Sequence, residues 1–400
     1  MLFRRRICLF AISSQMNLSL WVIAFIGHLG SWCVVYNRTH ATSWRRKIRK
    51  RCEKLVIVAV LLPMIWFLTK LIRQGSLSFN DIASGSKLEW LYLFLAIGMG
   101  VFFISRWIWR KLQNPPEAIL SSQQTLTDVQ RELGRNIYLT PLAKALKKIP
   151  FNLAHWIAVE SIELALPTLP QELDGLKICQ LSDFHLTGQL DLAWFERVVA
   201  TANDFEPDLI VITGDLVDDF ECLDWIEPVF GQLKSTHGTF FIRGNHDLRI
   251  GDQEMLLQRL EASGMKWAGG QFTSLDINGA KISFAGNELP WHAGAESLGV
   301  DSKPKEAFNI LLTHSPDQIE WAKPFNFDLI FAGHNHGGQI AFPFVGPIVA
   351  PSKYGVLYAS GTFQIDDAIM HVSRGLSGDE CIRINCPPEI GCFTLRAARS

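Results

Sequence analysis

Apolar residues fall along this chain in two different rhythms. In the first, long runs pass with almost no charge. Residues 18–36 carry no formal charge, and His28 is the exception to a clean apolar run. Residues 55–72 read LVIVAVLLPMIWFLTKLI, with Lys70 near the end, where its long stem lets the ammonium snorkel to the interface. Residues 90–105 read WLYLFLAIGMGVFFIS, open on an interfacial-type Trp90, and extend through Trp107-Ile108-Trp109. A membrane-spanning helix needs about 20 apolar residues, so the pattern predicts three transmembrane helices within residues 1–112. The second rhythm starts near Trp156, where short β-rich runs alternate with helical spacing. Ile162, Leu164 and Leu166 alternate as in a half-buried strand. Leu176–Leu181, Leu209–Thr213, Phe240–Ile242, Lys281–Ala285, Ile310–Thr313 and Leu329–Ala332 read as further strands. Leu192, Phe195, Val199 and Ala202 recur at helical spacing, and 253–262 reads as a helix ended by Gly264. This alternation predicts an α/β unit over 156–400.

Between the two lies a polar, mixed connector, 113–155. Asn114-Pro115-Pro116 stops the last apolar helix. In PLAKALKKI (141–149), Leu142, Ala145, Leu146 and Ile149 share one helical face and Lys144, Lys147 and Lys148 the other. This short basic amphipathic helix reads either as a membrane-surface segment or as an ordinary packed one.

Charge separates the halves again. Residues 1–112 hold 17 Lys and Arg against 3 Asp and Glu, and residues 113–400 hold 21 against 36. The overall net charge of −1 therefore conceals a basic half and an acidic one. Arg38, Arg45, Arg46, Lys47, Arg49, Lys50, Arg51 and Lys54 crowd the first loop, and Arg106, Arg110 and Lys111 follow the third run. Only Arg73 and Lys87 flank the second loop. The excess of basic residues predicts a multi-pass protein whose first loop and catalytic unit are cytoplasmic. Arg4, Arg5 and Arg6 would then lie outside, a conflict that a start at Met16 removes. The eight cysteines, Cys8, Cys33, Cys52, Cys179, Cys222, Cys381, Cys386 and Cys392, form no CxxC pair. They read as free, mostly buried thiols, with a disulfide or metal knot among the last three as the alternative.

Five motifs follow the strand-like runs in order: Asp183-Phe184-His185, Gly214-Asp215-Leu216-Val217-Asp218, Gly244-Asn245-His246-Asp247, Thr313-His314 and Gly333-His334-Asn335-His336. Nearly every polar residue in them can ligate a metal or move a proton. Placed at the carboxyl ends of strands, they are where a sheet presents a site. Each Asp or Asn alone would pass as a turn or helix cap. Together with five of the eleven histidines at strand ends, they point to a metal-dependent hydrolase.

This series resembles the calcineurin-like metallophosphoesterase superfamily, and most closely its membrane-associated bacterial phosphodiesterase branch. That match also rests on Leu181-Ser182-Asp183, on Gly337-Gly338-Gln339 after the fifth motif, and on Val372-Ser373-Arg374-Gly375-Leu376. It covers roughly residues 156–396. Phe184 stands where Leu is common and Asn335 where Thr is common, both at spacer positions. The resemblance implies a four-layer α/β/β/α sandwich holding a dinuclear centre. It implies that Asp183, His185, Asp215 and His336 hold one divalent ion and that Asp215, Asn245, His314 and His334 hold the other. Asp215 would bridge the two. Mixed Asp/His/Asn ligation suits Mn, Fe or Zn, with Mn favoured. A metal-activated hydroxide would attack phosphorus while His246 protonates the leaving oxygen. Asp218 is the favoured partner of His246, with Asp219 and Asp247 as alternatives. Arg374 is a candidate phosphate ligand. Trp291 and His292, after Glu288-Leu289-Pro290, are candidates for a rim loop. Phe344, Val345 and Ile348 are candidates either for contact with acyl chains or for the core.

The function expected is a membrane-anchored phosphodiesterase or pyrophosphohydrolase, on a lipid or lipid-linked phosphate. Similar membrane-associated enzymes include one that cleaves UDP-diacylglucosamine. A phosphatase or nuclease on a soluble substrate is the alternative. The acidic half argues against nucleic acid, which needs a basic track. A non-catalytic membrane scaffold would not need the complete ligand set.

Overall fold

The computed structural model describes residues 2–42, 44, 46–74, 86–299 and 306–398. Arg45, and the side chains of Arg4, Arg5, Arg6, Arg46, Lys70 and Arg73, lie outside that description. The chain divides into two compact units, Met1–Asn114 and Pro115–Ser400.

Among its described residues the first unit is three helices, α1 (Leu2–His40), α2 (Arg46–Gln74) and α3 (Lys87–Leu112). Leu18–His40, Lys47–Thr69 and Lys87–Leu112 are each long and apolar enough to cross a membrane. Leu55, Leu62 and Phe94 point outward from them. A helix that is apolar on every side is built for lipid rather than water. Where α1 crosses α3, a Cβ on Gly27 would fall 1.8 Å from the Ala96 carbonyl oxygen, and one on Gly100 2.0 Å from that of Ile23. Only glycine lets the two backbones approach this closely, the usual device for packing helices where lipid removes the hydrophobic drive. His28 ties the three helices together. Its Nε2 lies 3.0 Å from the Val60 carbonyl on α2, and its Nδ1 accepts from the Tyr92 hydroxyl on α3 at 2.5 Å.

The second unit is built on two sheets. Strands β1 (Ile119–Asp128), β2 (Trp156–Leu166), β3 (Lys177–Leu181), β4 (Leu209–Thr213), β5 (Gly238–Ile242), β6 (Lys266–Trp267) and β15 (Glu389–Ala397) form the larger. Strands β7 (Phe272–Ile277), β8 (Ala280–Asn287), β9 (Phe308–Thr313), β10 (Leu329–Ala332), β13 (Gly361–Ile365) and β14 (Ala368–Val372) form the smaller. Their orders are β1-β2-β15-β3-β4-β5-β6 and β13-β14-β10-β9-β8-β7. A hairpin, β11 (Ala341–Phe342) with β12 (Gly346–Pro347), stands apart. The central strands β3 to β6, and β8, β9, β10 and β14, run parallel, so each sheet has one edge where carboxyl ends gather.

Alternation along each strand sets the layers. Leu209 and Val211 of β4, with Phe240 and Ile242 of β5, face inward onto Ile310, Leu312, Leu329 and Phe331 of the other sheet. Ile210 and Ile212 face outward onto the helix Leu192–Asp204 through Phe195, Val198, Val199 and Ala202. On the far side, Leu311, Ile330 and Ala332 meet Ile319, Ala322 and Phe325. Both faces of these strands are buried, which is why they read as continuous apolar runs. Helix, sheet, sheet, helix is the four-layer sandwich expected. Phe184 is no idle spacer. It is fully buried, 4.8 Å edge-on to Phe230, and worth about 1.5–3 kcal/mol by burial.

The segment 113–155 departs from its reading as a connector. It opens with β1, which pairs antiparallel along β2 and belongs to the main sheet. Its residues 120–126 are exposed on both faces, so no alternation betrays the strand. The helix at 141 stops at Leu146, short of the nine residues predicted. Its buried residue is Ala143, whereas Leu142, on the predicted apolar face, is exposed.

Candidate active site

The five motifs meet where the two sheets present their carboxyl ends. Asp183 and His185 follow β3, Asp215 and Asp218 follow β4, and Asn245 and His246 follow β5. On the other sheet, His314 follows β9, and His334 and His336 follow β10. The backbone bends hard to aim these side chains. Asp183, His185, Asp215, His334 and His336 all have left-handed φ, between 45° and 70°. Such a conformation costs a non-glycine residue about 1–3 kcal/mol, and it is retained where function requires it. Of the three glycines in the motifs, Gly214 supplies a positive φ of 94°. Gly244 and Gly333 supply room: a Cβ there would lie 2.2 Å from Asp215 Oδ1 and 2.0 Å from Ser182 Oγ.

Among the described residues three groups of ligand-type atoms result, with the atoms of each within 4.8 Å of one another, and two of them share Asp215. Asp183, His185, Asp215 and His336 form the first, Asp215, His314 and His334 the second, and His185, Asp218 and His246 a third. In the first, His185 Nε2 lies 3.2 Å from His336 Nε2 and 3.5 Å from Asp215 Oδ2. In the second, His314 Nε2 lies 3.2 Å from both Asp215 Oδ2 and Asn245 Oδ1. Asp215 therefore belongs to both. Asp215 Oδ2 and His334 Nε2 are buried without a hydrogen-bond partner. A buried acceptor left unmatched is costly, and a cation is the partner such atoms fit. The cluster can thus hold metal ions.

The outer nitrogens of the histidines are already committed. His314 Nδ1 donates to the Thr213 carbonyl at 2.7 Å, and His336 Nδ1 to that of Ser377 at 3.1 Å. His185 Nδ1 donates to Asp218 Oδ1 at 2.9 Å. Each bond fixes the ring and turns the Nε2 lone pair into the site. Burial alone would push His185 and His314 down, but nearby carboxylates prevail. Asp218 leads for His185, held up at about 10, and Asp215 for His314, at about 9. A divalent cation would replace those protons.

Asp218 also accepts from His246 Nδ1 at 2.7 Å through its other oxygen. Burial would raise this carboxyl, but His185 and His246 hold it well below the usual range. The alternatives for this contact lie elsewhere. Asp219 caps the turn at Glu221. Asp247 accepts four backbone N–H groups, from Asp215, Leu216, Val217 and Gly244 at 2.7–3.1 Å, and so staples the loops after β4 and β5.

Arg374 is not brought to the site. Its guanidinium is spent on Glu160 at 2.6 Å and Glu389 at 3.0 Å. Arg249 is a cation that does reach it, with Nη1 2.9 Å from Asp218 and the Asp379 carboxylate against its outer edge. Three residues after His246 on one short turn, it was detectable by spacing. Arg383 is fully buried and donates to the His336 and Arg374 carbonyls, and nothing in its local sequence signals that. Cys381, Cys386 and Cys392 are free and buried. Trp291 lies with its ring 4.8 Å from His334 and 5.4 Å from His314, while His292 is buried and bonds the Gly244 carbonyl. Phe344, Val345 and Ile348 are exposed on the β11–β12 hairpin, so they are not core.

Comparison with known proteins agrees with this chemistry. The family model for the calcineurin-like phosphoesterases matches residues 176–338. The metallophosphoesterase YkuE of Bacillus subtilis is 32% identical over 249 residues, 61% of this chain and 87% of that one. Phosphodiesterase YaeI of Escherichia coli is 28% identical, covering 55% and 82%. UDP-2,3-diacylglucosamine pyrophosphatase LpxG of Chlamydia muridarum is 26% identical, covering 57% and 86%. The chain belongs to the calcineurin-like phosphoesterase family, metal-dependent hydrolases of phosphoric esters.

Proposed function

We propose that this chain is a membrane-anchored phosphoesterase with a dinuclear centre, acting on a phosphodiester or pyrophosphate bond in a lipid or lipid-linked substrate. Asp183, His185, Asp215 and His336 hold one divalent ion, and Asp215, Asn245, His314 and His334 the other. The observation that carries the reading is Asp215 Oδ2, buried, unmatched and common to both ligand groups. A bound cation pair would activate water and neutralise charge on the phosphoryl oxygens. The mixed donor set of four imidazoles with Asp183, Asp215 and Asn245 suits Mn, Fe or Zn, of which manganese is our choice.

The protein's own part is proton and charge management. Asp218 accepts from His246 Nδ1, so Nε2, with Arg249 Nη2 3.5 Å away, is the nitrogen placed to give a proton to the leaving oxygen. The same carboxylate orients His185, so acid and ligand share one anchor. Asp247 keeps both loops at fixed spacing.

Two features support a lipid-linked substrate: the three candidate spans, and the exposed hairpin carrying Phe342, Phe344, Val345 and Ile348 just after His336. Phe344 is 88% exposed, a poor arrangement in water and a good one against acyl chains. The names of the Escherichia coli and Chlamydia relatives, a phosphodiesterase and a lipid-precursor pyrophosphatase, support the reaction class. The basic first loop supports a cytoplasmic catalytic unit.

Metal analysis of the purified full chain tests the centre. Two divalent ions per chain are expected, falling to none in Asp215→Ala; full occupancy in that variant would sink the assignment. Turnover screened on diesters, monoesters and nucleotide-linked lipids identifies the substrate class. An impermeant thiol reagent applied to intact cells tests the topology: Glu261→Cys should gain no label over background.

A further inference from the structure

We propose that Arg249 binds a second phosphoryl group on the leaving side of the substrate. That would make the site selective for phosphoanhydrides, in which a P–O–P bridge is cut, over simple diesters. The inference rests on the dinuclear reading above. It starts from the tip of His246. With Nδ1 held by Asp218, the end that faces the leaving oxygen is Nε2, and Arg249 Nη2 lies 3.5 Å from it. Whatever is bonded to the leaving oxygen therefore sits beside a guanidinium. In a simple diester that neighbour is carbon, which gives a cation nothing to hold. In a phosphoanhydride it is a second phosphorus with charged oxygens, which an arginine fork matches.

The guanidinium is already presented for such a partner. Nη1 is fixed from behind by buried Asp218 Oδ2 at 2.9 Å. The outer edge carries an anion of the protein itself. Asp379 Oδ1 lies 2.6 Å from Nη1, and Oδ2 lies 3.1 Å from Nη2, fork against fork. Arg249 is 40% exposed in this pair and Asp379 55%. An ion pair so open to solvent is weak and exchangeable. Asp379, whose Oδ1 lies 3.5 Å from His246 Nδ1, holds the guanidinium edge that the second phosphoryl would take, and gives way to it. In the reaction, the water oxygen bonds to the attacked phosphorus and the bridging P–O bond breaks. The bridging oxygen departs on the second phosphoryl with the proton from His246, and the proton released by water restores the balance. Arg249 offsets the negative charge gathering on the departing group.

A purely structural Arg249, neutralising Asp218, would affect every ligand alike, which gives the test its contrast. Manganese-loaded, desalted full-length protein is titrated calorimetrically with methylenediphosphonate and, separately, with orthophosphate. Arg249→Ala should weaken the diphosphonate by about 10- to 100-fold and orthophosphate by less than about threefold. Arg249→Lys should fall between, and Asp379→Asn should tighten the diphosphonate by removing its competitor. Equal weakening of both probes in Arg249→Ala, or a weaker diphosphonate in Asp379→Asn, overturns the proposal. Metal content on the same samples separates the two readings. Two manganese ions per chain with no discrimination between probes sinks the Arg249 assignment alone. Absence of bound manganese overturns the dinuclear reading and this proposal with it.

Discussion

The two halves of the site are built on different kinds of support. His314 and Asn245 stand at strand ends, and His314 is pinned by the Thr213 carbonyl, a backbone atom of the central sheet. Trp291 lies against that half. His185 and His336 instead depend on loops and side chains. Asp218 holds the ring of one, and the Ser377 carbonyl holds that of the other while Arg383 ties down its backbone carbonyl. This second arrangement opens onto His246, Arg249 and Asp379. The difference separates rigidity from tuning. One half inherits the stiffness of the sheet, and the other can be altered through groups that also handle protons and charge.

Substitutions should therefore act unequally. Asp218→Asn has the largest expected effect, because one carboxylate serves His185 and His246. We expect turnover to fall about 10²- to 10⁴-fold. One of two metal equivalents should also bind about 10- to 100-fold more weakly. Equal weakening of both equivalents would dissolve the contrast. His246→Ala should lower kcat about 10²-fold with both metals retained, read by turnover and metal analysis together.

A third test concerns the brace beneath the loop half. Glu389 is buried between Arg374 and His371, and next to it in space runs the turn that carries Ser377. Burial would raise its carboxyl, but Arg374 leads in holding it down, at about 2 instead of 4.5. The folded state thus gains stability from the ionised form at pH above about 4.5. That gain, about 3 kcal/mol, is lost as pH falls from about 4.5 towards 2. Denaturant unfolding measured across that window should show the loss in the wild type and little of it in Glu389→Gln. The smallest effect is expected for Trp291→Ala, about 1 kcal/mol of stability with metal content intact. A large metal loss there would mean that the sheet half needs its aromatic cover.

The halves also differ in how well the sequence revealed them. The candidate ligands at strand ends stood out in the sequence because a polar residue directly after a fully apolar run has few bland explanations when five such runs agree. The supports were not. Ser377 and Arg383 reach His336 across more than forty residues, and such contacts leave no periodicity. Arg374 sat in a motif on which the family resemblance rested, and that context suggested phosphate, whereas its charge is consumed by Glu160 and Glu389. In the second unit the buried strands were readable from their apolar runs. β1 was not, since an exposed edge strand needs backbone partners but no apolar face.

That edge strand has a practical consequence. A shortened version beginning at residue 156, where the apolar rhythm changes, would strip one full flank of β2 of its amide partners. The bare rim would invite pairing with another molecule. A soluble fragment of this enzyme should begin at Pro115, so that its own serines and glutamines guard that border.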